Sequence, residues 1–419
     1  MSAFQAEQAN PRELPAPLIG VCVALVAIGV ISFFIGDAQT AWRAYHVNFI
    51  YFATLAQGGL CLSCAFVIID AKWPGPVRHV AEGIAAWVPI SFLLLAIGYF
   101  GREHIHTNWI HGAPHGKEGW LNIPRVYISD LAILGVLTLL TIRFLKLSVR
   151  PSLHGAAERA TRAKRMFERW TANWRGEETE RAESAKKLRV LAPIIALIYT
   201  FGYTIVGYDQ VMSLTPTWFS TMFGWYFGWS GFLSGIAMTT LICILLRNQP
   251  GWETEITKDR LHDLGKMLFA FSVFWMYLFF SQYIAIWYGN LPEETQFFEL
   301  RLGSQFLQDT WYLAAVNFSE PYVSVSMAAW AGCWIIPFGV LLAAAPKRSW
   351  YILGPVAGVM LLGFWLERNV LVWPSLAPDD GYAWLGPVQL GIAAGFFGAF
   401  TLVFLIYSRI FPTLPISRR

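Results

Sequence analysis

Charge is what this chain has least of. Only 14% of its 419 residues are Asp, Glu, Lys or Arg, about half the share of an ordinary soluble domain. Hydrophobic residues make up 56%. Those proportions exclude a single soluble core and describe a polytopic membrane protein, whose core is the interior of a helix bundle. Motifs of soluble chemistry are missing too: there is no P-loop, dinucleotide fingerprint, zinc-ligand spacing or nucleophile signature. Cysteine is scarce, and all five (Cys22, Cys61, Cys64, Cys243, Cys333) fall inside apolar stretches. Cys61 and Cys64 form a CxxC, but Ala65 follows rather than the Cys-His end of a c-type haem site. Nothing resembles an iron–sulfur cysteine run. The eight histidines lie at span ends or in loops, so a b-type haem held within the chain is not expected. The opening MSAFQAEQANPRELPAP has no positive n-region and no cleavage site, and reads as lacking a signal peptide.

What is present is a series of long apolar runs. A bilayer is crossed by about 20 helical residues. Ten stretches qualify, at about 17–36, 47–69, 80–100, 126–145, 190–208, 219–246, 268–287, 322–345, 350–373 and 385–411. The fold expected is all-α, with ten transmembrane helices. The seventh span lies within Arg260–Thr295, RLHDLGKMLFAFSVFWMYLFFSQYIAIWYGNLPEET. At 100° per residue, Asp259, His262, Lys266, Tyr277, Ser281 and Tyr288 share one face of it. Titratable groups at membrane depth usually face a bundle interior or a water path. The alternative for His262, Asp263 and Lys266 is a place among lipid headgroups at the helix end.

Basic residues fix an expected topology. Thirteen of the 31 Lys and Arg residues lie between Arg143 and Arg189. Others sit in the two-to-three, six-to-seven and eight-to-nine connections and at the C-terminus. These connections are expected inside, which puts both termini in the cytoplasm. The cluster is a topology signal against anionic lipid and not a nucleic-acid footprint. Connections carrying Glu103, Glu118, Glu293, Glu294, Glu299, Asp309, Glu320, Asp379 and Asp380 are expected to face out. The 151–187 loop is expected to hold an amphipathic surface helix, with Met166, Phe167 and Trp170 dipping into lipid.

A faint repeat runs through the chain. Span three opens Arg78-His79 with Glu82-Gly83, and span seven opens Arg260 with His262-Asp263-Leu264-Gly265. Spans five and nine each have an early proline, Pro193 or Pro355, and a late acid, Asp209 or Glu367. The step is four spans, so the copies are parallel. Two four-helix bundles follow, at 46–210 and 211–373, with flanking segments 1–45 and 374–419. The first bundle includes the basic loop 146–189.

With depth assigned, Glu82, His262, Asp263 and Lys266 sit on the inner side. His46, Asp130, Asp209 and the adjacent Glu367-Arg368 sit on the outer side. Ser91, Tyr203, Thr204, Thr239, Thr240, Tyr277 and Gln282 lie between them. That is the composition of two half-paths for protons, although Glu367-Arg368 could equally be a structural ion pair. His46 with Asn48 could hold a quinone carbonyl, since both side chains hydrogen-bond carbonyls.

Three segments carry a resemblance: HVNFIYFATLAQGG (His46–Gly59), YDQVMSLTPTWFSTMFGWYFG (Tyr208–Gly228) and FAFSVFWMYLFFSQYIAIWYGNLPEET (Phe269–Thr295). They resemble the NrfD/PsrC-like membrane anchors and, more narrowly, the ActF membrane subunits of alternative complex III. The resemblance implies two four-helix bundles with flanking helices. It implies a quinol-oxidising complex in a bacterial inner membrane, which passes electrons to a soluble carrier or an oxidase. The partners implied are a paralogous NrfD-like membrane subunit, an iron–sulfur subunit and c-type cytochrome subunits. Haem c and the iron–sulfur clusters would reside in those partners, with none bound by this chain. Quinol binding is open, and a proton pathway is the role such a subunit is discussed for. Two other readings compete: the quinone-binding anchor of a molybdopterin or polysulfide-type reductase, and a secondary transporter.

Overall fold

The computed structural model describes residues 16–157, 164–249, 251–303 and 316–411. Asp309, the N-terminal stretch before Ala16 and the C-terminal Arg418 and Arg419 lie outside the described residues. Ten helices are long and apolar enough to cross a membrane. They are α1 (Ala16–Ile35), α2 (Ala38–Ile68), α3 (Pro76–Ile105), α4 (Ile123–Leu153), α5 (Glu177–Leu214), α6 (Phe223–Leu246), α7 (Lys258–Gly289), α8 (Val323–Val340), α9 (Trp350–Leu376) and α10 (Pro387–Ile410). The chain is an all-α, multi-pass membrane protein.

Local chemistry sets several boundaries. Asp37 caps α2 by accepting from the Thr40 amide at 2.9 Å, and Thr257 caps α7 by accepting from the Arg260 amide. Glu177, Glu178 and Glu180 fill the first turn of α5, where carboxylates complement the helix dipole. Asn290 ends α7 in the left-handed conformation, and Pro292 opens a short helix, Pro292–Leu302.

The connections gather on two opposite faces. On one, Arg189 reaches Asp70 at 3.1 Å, Arg260 donates to the Trp73 carbonyl, and Arg348 approaches Asp259. On the other, the Asn108 amide donates to the Leu214 and Ser375 carbonyls, and Tyr322 donates to those of Ala377 and Asp380. Alternate connections thus share a face, as they must when every long helix crosses.

Packing closes two rings. In the first, α2 packs on α3 and α5, α3 on α4, and α4 on α5. In the second, α6 packs on α7 and α9, α7 on α8, and α8 on α9. The rings meet where α2 crosses α6. A Cβ added to Gly58 would strike the Gly231 carbonyl, and one added to Gly235 would strike the backbone of Gly58 and Gly59. Small residues here let two backbones touch, the usual basis of close helix association in lipid. Thr54 meets Gly231 and Gly59 meets Gly235, so the two helices run the same way. Outside the rings, α1 packs mainly on α10, and α10 on α2 and α3.

Two expectations are overturned. The polar face of α7 does not line a bundle interior: Tyr277 is 57% and Tyr288 85% exposed, and Asp259 and Lys266 are exposed as well. The face that packs inward is Leu261, Leu264, Leu268, Trp275, Leu278 and Ile286, because tight apolar packing decides which stripe is covered. The aromatic residues of the basic loop also turn inward. Phe167 is buried with Val149 and Leu153, and Trp170 stacks on Phe411 at 5.4 Å. Protein covers Phe167, while Met166 and Trp170 are half-buried against the same cluster. Residues 158–163 of that loop lie outside the described residues.

Candidate functional site

The first ring holds an ionisable group at each end. At the basic end is Glu82 of α3, fully buried. Its Oε1 accepts from Arg78 Nε at 2.9 Å, from Ser63 Oγ of α2 at 3.0 Å and from Ser148 Oγ of α4 at 2.7 Å. Its Oε2 faces His79 Nδ1 at 3.0 Å. Arg78 and Glu82 are four residues apart and therefore neighbours on one helical face. A buried carboxylate is tolerable only with such a complement of donors.

At the other end are Asp130 of α4 and Asp209 of α5, both fully buried. Arg125 Nη1 donates to Asp209 Oδ1 at 2.5 Å and Ser129 Oγ to Oδ2 at 3.3 Å. Gln210 Nε2 donates to Asp130 Oδ2 at 2.7 Å, and the Asp130 and Asp209 carboxyls meet. Among the described residues, no N–H or O–H donor reaches the other oxygen of Asp130. Two buried carboxyls thus meet beside one guanidinium, that of Arg125. His46 Nε2 lies 2.7 Å from the Gln210 carbonyl, which joins α2 to the same group. His106, just past α3, faces His46 with ring centroids 6.3 Å apart. Burial, with His46 beside it, pulls the His106 imidazole down to about 3 and so holds it neutral. Neither of its ring nitrogens has a protein partner.

The Glu367-Arg368 pair lies at the seam between the rings. Arg368 Nη1 donates to Glu367 Oε2 at 2.7 Å. Its Nη2 donates to Ser230 Oγ of α6 at 2.7 Å and approaches Thr54 Oγ1 of α2 at 3.4 Å. The guanidinium sits 4.5 Å from the centroid of the Phe227 ring. The other Glu367 oxygen has no partner within hydrogen-bond geometry, and Tyr226 lies beside that carboxyl.

The remaining sequence candidates are dispersed. Lys266 pairs with Asp263 at 2.6 Å on the partly exposed α7 face, with His262 half-buried next to them. Asn48 is separated from His46: its amide donates to the Ala44 carbonyl, and its oxygen accepts from Trp365 Nε1 of α9. The expected carbonyl-binding pair is therefore not assembled, because residues two apart on a helix point to different sides. Most of the hydroxyls placed between the half-paths are tied to their own helix. Ser91, Thr204, Thr239 and Thr240 each donate to the carbonyl four residues back, a common habit of such side chains in apolar surroundings.

The groups that complete the site were legible only in part. Arg78 and His79 stand out in the sequence as charges at a span entrance. Ser63, Ser148 and Gln210 carry no signal except their helical registers, and His106 belongs to a loop in the sequence. Among the described residues, no three His, Cys, Asp or Glu side chains converge as metal ligands. In comparisons with known proteins, the chain matches no family model and no curated relative.

Proposed function

We propose that this chain is an integral membrane subunit of a quinol:electron-acceptor oxidoreductase of the alternative complex III kind, and that its first bundle conducts protons. The observation that carries the proton role is the pair of buried carboxyl clusters at opposite ends of one bundle. Ser148 and Asp130 are 18 residues apart on α4, which separates the clusters by about 27 Å, nearly the hydrocarbon thickness of a bilayer. Ionisable groups so placed are costly in a purely structural role and are the usual mark of an ion or proton route. The respiratory assignment rests on the three NrfD-like segments. In this reading the iron–sulfur clusters and haems belong to partner subunits, and the basic face is cytoplasmic by the excess of Lys and Arg in its connections.

Extraction in mild detergent tests the assignment. Co-purification with multihaem cytochrome c and iron–sulfur subunits supports it. A molybdenum-containing partner would replace it with a reductase anchor, and a chain that purifies alone and binds a solute would make it a transporter. A reporter fused after Arg419 is expected to be active only on the cytoplasmic side.

A further inference from the structure

We infer that Gln57 holds ordered water midway along the first bundle, and that this water is a relay between the two carboxyl clusters. The inference rests on the reading of that bundle as a proton conductor and names its mid-depth station.

Gln57 lies in the middle of α2 and is fully buried. Neither its amide nitrogen nor its amide oxygen has a hydrogen-bond partner in the protein. A primary amide brings two donors and an acceptor with two lone pairs. Burying all of them unmet is among the more expensive things a fold can do, whereas a buried polar site with several partners to offer is where water resides. The Cys61 thiol, one turn on, adjoins the amide.

Its placement is set by helix geometry. Eleven residues separate His46 from Gln57 on α2, and eleven separate Asp130 from Thr141 on α4. At 100° and 1.5 Å per residue, each pair lies within about 20° on one face and about 16 Å apart along the axis. The two helices run the same way, so Gln57 and Thr141 stand at one depth below a shared cluster. Thr141 is fully buried and donates to the Leu137 carbonyl, which leaves its oxygen free to accept. Seven residues further, Ser148 reaches Glu82. On α5, Tyr203 donates to the Ala53 carbonyl, one turn before Gln57. Polar atoms from α2, α4 and α5 therefore recur at the level where the route would otherwise be broken by apolar packing. In transfer, each water accepts a proton on one side and releases one on the other. O–H bonds form and break in equal number, and the Gln57 amide stays neutral, its N–H donating and its C=O accepting.

The test uses the full chain, with whatever subunits accompany it, in phosphatidylcholine vesicles. Infrared difference spectra in normal and 18O-labelled water are expected to show a buried-water band in the wild type that Gln57→Leu abolishes. Proton uptake under a valinomycin potential, read by a trapped pH dye, is expected to fall about tenfold in Gln57→Leu, the kinetic scale of one lost hydrogen-bonded link. Gln57→Asn, which keeps the amide, is expected to retain most of it. If Gln57→Leu does not fold, Gln57→Met serves in both measurements. An unchanged water band overturns the inference. Glu82→Gln and Asp130→Asn judge the underlying reading separately. If both conduct like the wild type, the first bundle is no conductor and the route falls with it. If both slow uptake while Gln57→Leu does not, the reading stands and the inference alone is overturned.

Discussion

Glu82 on α3 and Asp263 on α7 occupy corresponding places, four helices apart in the chain and each near the basic face. The side chain of Glu82 is 0% exposed and is met by donors from three helices, while that of Asp263 is 29% exposed and meets one lysine. The two helices begin with similar residues, so the difference lies in their neighbours. The polar face of α3 is covered by α2 and α4, which contribute Ser63 and Ser148. The polar face of α7 is met only at its first turns, where Arg348 approaches Asp259, and its later residues Tyr277 and Tyr288 stay exposed in this chain. The same contrast holds at larger scale: 89% of the apolar window of α2 is buried, against 33% for α7. Two span entrances with similar charges thus meet different neighbours, and packing decides which of them is internalised. Burial creates both the cost and the chemical use of an ionisable group.

Four experiments bear on that comparison, and the seam between the bundles should give the largest effect. Gly58→Leu forces a side chain into the backbone of α6. It is expected to cost more than about 3 kcal/mol, at the severe end of overpacking, and to abolish monodisperse protein in size-exclusion chromatography. Gly228→Ala, which meets nothing within 4 Å, is the control and should behave as the wild type. Next comes Glu82→Ala, which leaves the half-buried Arg78 beside Ser63 and Ser148 without its carboxylate. A loss of about 3–5 kcal/mol is expected by the measure of broken buried pairs, read as a lowered thermal midpoint in detergent. Asp263→Ala should cost no more than about 1 kcal/mol, like other partly exposed pairs; equal losses would erase the distinction between the bundles. Glu367→Gln is expected to leave assembly intact and to leave proton uptake in vesicles close to that of the wild type, because Glu367 lies at the seam and outside the first-bundle route. A fall of about tenfold, the scale of one lost transfer partner, would extend the route to the seam. Tyr277→Phe should have the smallest effect, within about 0.5 kcal/mol as for ordinary surface positions, with uptake unchanged.

Much of the fold could be read from the residues, because apolar length and basic connections are strong, local signals. The ten spans and their alternation follow from them, whereas the two parallel-related rings were legible only through the faint four-span repeat. The site was less legible. Asp130, Asp209, Glu82 and Glu367 are conspicuous as acids in apolar surroundings, and all four are buried. Their partners are not conspicuous: Ser148 becomes a ligand of Glu82 only through the register of α4, and Gln210 joins Asp130 only because α5 carries on to Leu214. The polar face of α7 misled for the opposite reason. A helical wheel shows which residues share a face but not whether that face has a partner, and here the apolar stripe with Trp275 was the one the bundle needed.

The pairing of the outermost helices has a consequence for biogenesis. Gly29 of α1 lies against Gly395 of α10, near enough that a Cβ on either would collide with the other's backbone. More than three hundred residues of chain separate them. During synthesis α1 thus stays without its main partner until α10 is made. A chain cut short before α10, whether by a nonsense codon or by proteolysis, would leave α1 adrift in lipid and available to quality control.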